Sequence, residues 1–144
     1  MKTLVPLRAQ PMHVALPVAA APAFRALADI ENLPRWAGEF CDRLEISAHG
    51  WRGWTACGDL FLELVADERT GVVDIQIGTE HELLAVLALR VLDVPPEGCV
   101  VTAVLLGSAA AHGPIEDLLA LALRRLPERL SDVSTVSVAA ARVA

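Results

Sequence analysis

The sequence predicts a single α+β domain in which one curved antiparallel sheet packs against one long helix. Three observations carry this prediction. The chain has 144 residues, which is the usual size of one domain. Its middle part consists of short apolar runs separated by turn residues, as in strands joined by hairpins. Near its C-terminal end, apolar residues recur at helical spacing over residues 114–130.

The first part of the chain predicts one strand and two short helices. Residues 12–18 alternate at period two, and Pro17 restricts this strand to an edge of the sheet or lies near the end of the strand. Pro22 suits the first turn of a helix, which we expect over residues 22–29. A second short helix is predicted over residues 33–40, where apolar side chains share one face.

The middle of the chain predicts six strands in a meander. Each apolar run ends near glycine, aspartate or proline, the residue types that favour turns. Because the turns are short, consecutive strands must run antiparallel. The predicted strands cover residues 42–48, 51–57, 59–66, 72–77, 83–92 and 99–107.

The long helix is predicted over residues 114–130. Gly113 and Pro114 open it, acidic residues occupy its first turn and arginines lie toward its end, which complements the helix dipole. We expect residues 1–10 to be a loosely ordered start, residues 11–130 to form the domain and residues 131–144 to be a frayed tail. Side chains can fill the space between helix and sheet or leave a cavity, and the pattern does not decide between them.

Composition excludes several classes of protein. The net charge of −6 and the pI near 5.1 argue against nucleic acid or an anionic membrane surface as a partner. No uninterrupted apolar run reaches the roughly 18 residues needed to span a bilayer. Cys41, Cys57 and Cys99 form no CxxC pair, so we expect buried free thiols and a cytoplasmic protein. Pro17 and Pro22 interrupt the one early apolar run, which argues against a secretory signal.

No catalytic or metal motif stands out. The four histidines are scattered without an HxH or HExxH spacing, so no metal site is predicted. The sequence also lacks a phosphate-binding glycine motif and a GxSxG nucleophile elbow. We therefore expect no cofactor.

The element order and three stretches of sequence resemble the START-like, helix-grip domains of the SRPBCC superfamily. That superfamily includes polyketide cyclases, aromatases and lipid-transfer domains. The resemblance covers roughly residues 11–130 and supports a fold more than an activity. The three stretches are residues 18–29 leading into Leu33-Pro34-Arg35-Trp36, Gly71-Val72-Val73-Asp74, and residues 89–93 through 98–102.

The resemblance implies a seven-stranded sheet that curves around the C-terminal helix and leaves a hydrophobic cavity between them. The candidate walls of this cavity are Trp36, Phe40, Trp54, Phe61, Leu118 and Ala122. The candidate polar groups near it are Asp74, Gln76 and Arg90. The chain has no tyrosine and only 4% aromatic residues, which leaves few groups to orient a polyphenolic substrate.

Three functions remain open at this point. The first is binding of a small hydrophobic molecule in the cavity. The second is an enzyme of the cyclase, aromatase or dehydratase type, in which Asp74 would act as acid or base and Arg90 would stabilise an oxyanion. The opposing interpretation of this pair is that both side chains face solvent or form a salt bridge. The third function is a protein-interaction module without a small-molecule ligand, and a homodimer is open under each of the three.

Overall fold

The computed structural model describes residues 7–96 and 98–130, and it contains one seven-stranded antiparallel sheet. The strand order is β1-β7-β6-β5-β4-β3-β2, so the first strand closes the meander by pairing with the last. This confirms the predicted fold class. The strands are β1 (Leu7–Leu16), β2 (Cys41–Ser47), β3 (Gly50–Thr55), β4 (Gly58–Asp67), β5 (Val72–Gly78), β6 (Leu83–Val94) and β7 (Gly98–Ser108).

The sheet begins earlier than the sequence predicts. Leu7 pairs with Ser108, and the pairing continues without a break to Leu16. Residues 7–10 are therefore part of β1 rather than of a loosely ordered start. Residues 1–6 and the predicted tail 131–144 lie outside the described residues.

Two short helices connect β1 to β2, as predicted. Helix α1 spans Ala20–Ala28, a 3-10 turn spans Ile30–Asn32 and α2 spans Leu33–Trp36. The Asp29 carboxylate accepts a hydrogen bond from the Glu31 backbone N–H at 3.0 Å and so caps the 3-10 turn. Helix α2 ends four residues before its predicted end.

The long helix differs from the prediction at both ends. Helix α3 spans Ala109–Arg124, so it begins five residues before Pro114. Residues 126–130 form a further helical segment after a break at Arg125. Pro127 explains this break, because its nitrogen carries no hydrogen for the backbone hydrogen bond that a continuous helix requires.

The strands have one face toward the helices, here called the inner face, and an opposite outer face. In β5 the buried residues Val73, Ile75 and Ile77 alternate with Asp74 and Gln76, which are half-buried or exposed. Since directly paired residues share a face, the register extends this alternation to the neighbouring strands.

Buried side chains from α3 pack directly on the inner face. Helix α3 lies over β1, β7 and β6, whereas α1 lies over β4 to β7 and α2 lies beside β2. The α3 side chains and the inner-face side chains belong to one core cluster. The buried residues that the helical C-terminal segment contributes are Ile115, Leu119, Ala122, Leu123, Leu126 and Leu130.

Candidate functional site

Four of the nine predicted ligand residues lie in or beside this core. Trp36 and Phe40 are 1% exposed and Ala122 is fully buried, so all three are core residues in the structure. Leu118 is half-buried and packs against the same core cluster. The resemblance placed these four residues in the wall of a cavity, but in the structure they pack against other side chains of the core.

The other five predicted residues lie on the outer face, which corrects their predicted place beside the cavity. Each follows or precedes a buried residue of its own strand, and strand alternation then turns it away from α3. For example, Phe61 precedes the buried Leu62 and Trp54 follows the buried Gly53. The five residues on the outer face are Trp54, Phe61, Asp74, Gln76 and Arg90.

Asp74 and Arg90 form an ion pair on this outer face. The Arg90 Nη1 atom donates to Asp74 Oδ1 at 2.8 Å, and it also donates to the Leu89 carbonyl at 2.8 Å. The Arg90 side chain is 41% exposed and the Asp74 side chain is 34% exposed. Of the two interpretations of this pair, the arrangement therefore matches the surface salt bridge.

Two cysteines are buried and one is not. Cys41 and Cys99 are free and buried, and burial raises the pKa of both thiols. Cys57 was predicted to lie in a strand, but it lies in the exposed turn between β3 and β4. No group of three histidine, cysteine, aspartate or glutamate side chains among the described residues could hold a metal ion.

A groove opens on the inner face at the end of the sheet that α3 does not cover. It encloses about 510 Å³ between the end of α1 and strands β3 and β4. We call it the inner groove. Its apolar lining consists of Ala28, Ile30, Trp51, Leu62 and Leu64, and its polar lining includes Asp29, His49 and Glu63.

Trp51 is the largest side chain in the inner groove. It pairs with the buried Leu62 across β3 and β4, which places it on the inner face, yet it is only half-buried. The turn before it is held by Ser47, whose hydroxyl donates to the Gly50 carbonyl at 2.7 Å and accepts from the His49 backbone N–H at 3.3 Å. The β2–β3 hairpin therefore holds Trp51 and His49 at the mouth of the groove.

Sequence reasoning missed Trp51 as a site residue. It assigned Trp54 to the cavity wall, whereas the register places Trp54 on the outer face and Trp51 on the inner face. Trp51 shares the inner face with Gly53, and the Leu62 and Cys41 side chains fill the space at that glycine, so the local sequence does not mark Trp51 as a groove residue.

A second pocket, here called the edge pocket, lies where α2 leads into β2. It encloses about 540 Å³, and its lining includes Glu39, Asp42, Arg43 and Trp54. A third, smaller pocket of about 330 Å³ lies near the β5–β6 turn. Within residues 7–96 and 98–130, none of the residues that line these three pockets comes from β1, β7 or α3.

The C-terminal segment is fastened to α2 by a cluster of hydrogen bonds. Arg129 donates to both carboxylate oxygens of Glu39, with 2.7 Å between Arg129 Nη1 and Glu39 Oε2, and it donates to the Trp36 carbonyl at 2.9 Å. The hydrogen bond from Arg129 is the main reason that the pKa of Glu39 is lowered. We call this arrangement the Glu39 clamp.

Similar structures are found among solved proteins at low sequence identity. BexL, a di-domain ARO/CYC protein from the BE-7585A biosynthetic pathway, is 12% identical with a TM-score of 0.69 over 86% of this chain and 46% of that chain. This chain therefore spans about half the length of BexL. XoxI from Bacillus cereus is 10% identical with a TM-score of 0.68, over 87% of this chain and 96% of that one.

Truncated norcoclaurine synthase from Thalictrum flavum is 10% identical with a TM-score of 0.66, over 95% of this chain and 97% of that one. Another structure of that synthase contains dopamine and hydroxybenzaldehyde. The chain thus has the same helix-grip fold as these proteins. No family model and no curated protein matches the sequence.

The described residues include no helix that is long and apolar enough to cross a membrane.

Proposed function

We propose that this chain binds a small apolar molecule in the inner groove. The observation that carries the proposal is the half-buried indole of Trp51 on the inner face, where it lines a groove together with Leu62 and Leu64. An aromatic side chain left partly uncovered on an otherwise buried face offers a stacking surface to a ligand. The location differs from the cavity beside α3 that the resemblance implied.

The size and lining of the groove support this proposal. Its volume of about 510 Å³ falls within the range of small-molecule sites. Its lining combines apolar side chains with Asp29 and His49, polar groups of the kind that such sites use to orient a ligand. A protein of the same fold, norcoclaurine synthase, holds two small aromatic molecules in one of its structures.

The proposal can be tested with a neutral fluorescent probe, N-phenyl-1-naphthylamine, titrated into the full chain. Trp51→Ala should weaken binding about tenfold or more, because it removes the main contact surface. Leu92→Ala is the control, since it removes an exposed apolar side chain from the outer face of β6, away from the groove. That control should bind the probe as the natural sequence does.

A second variant separates loss of contact from loss of folding. Ala28 is half-buried in the groove lining, so Ala28→Phe should occupy the groove and block the probe. Thermal unfolding of each variant shows whether it is still folded. Unchanged probe binding in both folded variants, Trp51→Ala and Ala28→Phe, would overturn the proposal.

The alternatives are a cyclase or dehydratase type of enzyme and a protein-interaction module. Asp74 and Arg90 do not support the enzyme, because they lie on the outer face and pair with each other. Exposed apolar residues on the strands give the interaction module some support, among them Val65, Leu92, Val94 and Leu106. No observation selects a partner for them.

A further inference from the structure

We propose that the edge pocket is a second binding site, which takes a small organic carboxylate through Arg43. The site is separate from the inner groove and does not depend on it. Its two central residues, Arg43 and Trp54, are direct cross-strand partners on the outer face of β2 and β3. Arg43 and Trp54 both line the pocket of about 540 Å³.

The Arg43 guanidinium packs against the Trp54 ring. The central carbon of the Arg43 guanidinium lies 4.1 Å from the centroid of the Trp54 ring, within the range of a cation–π contact. Arg52 lies 5.1 Å from the same ring and pairs with Asp59. A guanidinium that contacts a ring through its face keeps the N–H donors at its edge available for a planar carboxylate.

Arg43 is the cationic side chain of the pocket lining, and among the described residues it forms no ion pair. Arg52 pairs with Asp59, and the Glu39 carboxylate of the lining is already bound by Arg129 and Arg125. The Arg43 guanidinium is therefore available to a ligand anion.

The pocket lining also limits the charge of the ligand. Asp42 also lines the pocket, and its carboxylate repels a second negative charge. A singly charged carboxylate is therefore preferred over a doubly charged phosphate. Trp54 and Ala56 add apolar surface to the lining, so the carboxylate should be carried on an apolar or aromatic body.

The experiment is calorimetric titration of the full chain with three probes of one shape: naphthoate, naphthyl phosphate and neutral naphthamide. Naphthoate should bind with a dissociation constant below about 1 mM and more tightly than the other two. Arg43→Gln should weaken naphthoate about tenfold or more. Arg69→Gln, which makes the same charge change at the exposed β4–β5 turn, should change it less than about twofold.

Two further measurements locate the site. Asp42→Asn should tighten naphthoate, because it removes the repelling charge. In the NMR spectrum naphthoate should shift the indole N–H signal of Trp54 and leave that of Trp51 in place, which distinguishes the edge pocket from the inner groove. Unchanged affinity in Arg43→Gln, or tighter binding of the phosphate than of the carboxylate, would overturn the proposal, whatever the result for the inner groove.

Discussion

The two ends of the sheet, one at β1 and β7 and the other at β2 and β3, differ in how completely the helices cover their inner face. Under α3, the inner-face residues Val101, Ala103 and Leu105 of β7 are at most 1% exposed. At the other side, Leu44 of β2 and Trp51 of β3 are only half-buried on the same face. All three pockets described above are built without β1, β7 or α3. The covered side therefore supplies most of the buried core, and the less covered side carries the pockets that open to solvent.

The largest effect should come from Trp36, which lies in the covered core despite its predicted place in a cavity wall. Trp36→Ala should lower the free energy of unfolding by about 3–5 kcal/mol, as is typical when a large core aromatic is truncated. Trp51→Ala should cost less than half as much. Urea denaturation measures both values, and equal losses would remove the distinction between the two sides.

Two glycines in hairpin turns allow a closely packed position of the sheet to be compared with an open one. Gly71 has φ +69°, and a Cβ there would lie 2.4 Å from the Val91 carbonyl oxygen of β6. Gly71→Ala should therefore cost about 3 kcal/mol, from strain and from displacement of β6. Gly58 has φ +106° but no atom within 4 Å of such a Cβ, so Gly58→Ala should cost only the strain of about 1–2 kcal/mol. Thermal unfolding of the pair would show no difference if packing against β6 were unimportant.

The Glu39 clamp should contribute a smaller and pH-dependent stability. Arg129→Met should destabilise the fold by about 2 kcal/mol near neutral pH, since it removes charge-assisted hydrogen bonds from a carboxylate that is only 16% exposed. The pKa of Glu39 is lowered in the folded state, so this contribution is present above its ordinary pKa of 4.5 and is lost as the pH falls through the lower folded value.

The control for the clamp is the Glu39→Gln variant measured at neutral and acidic pH. The difference in unfolding free energy between this variant and the natural sequence should be largest above pH 5 and should shrink toward pH 3. A difference that stays constant over this range would mean that the ionised carboxylate does not contribute.

The smallest effect should come from the outer ion pair. Asp74→Asn should change the free energy of unfolding by less than about 1 kcal/mol, because both partners are more than a third exposed and solvent screens their attraction. It should also leave probe binding at the inner groove unchanged. A large loss of probe binding in this variant would return Asp74 to the list of candidate site residues.

The fold was predictable because it depends mainly on local sequence features, such as short turns between consecutive strands. Hairpins of short turns force neighbouring strands to be antiparallel, and each of the seven predicted strands is present. The start of α3 was not predictable from Pro114, since the helix begins at Ala109 and contains this proline. The break before Pro127 follows the usual rule that proline interrupts a helix.

The site was less predictable because it depends on which face the helices cover. Val72 and Val73 are adjacent and both apolar, as are Leu60, Phe61 and Leu62, so strand periodicity alone does not identify the inner face. A shift of one residue along a strand exchanges its inner-face and outer-face side chains. Phe61 and Asp74 were predicted to face the cavity, but in the structure they lie on the outer face and Trp51 lies on the inner face. The choice is fixed only when α1 and α3 are placed over the sheet.

The pairing of β1 with β7 has a consequence for the chain as it is synthesised. Leu16 pairs with Cys99, so the first strand has no sheet partner until more than eighty further residues have been made. At about 5–20 residues per second, that strand waits roughly 5 to 20 s with neither edge paired. Such long-range closure gives a high contact order and slow folding. The nascent chain thus has its greatest exposure to aggregation or to chaperones in the interval before β7 emerges.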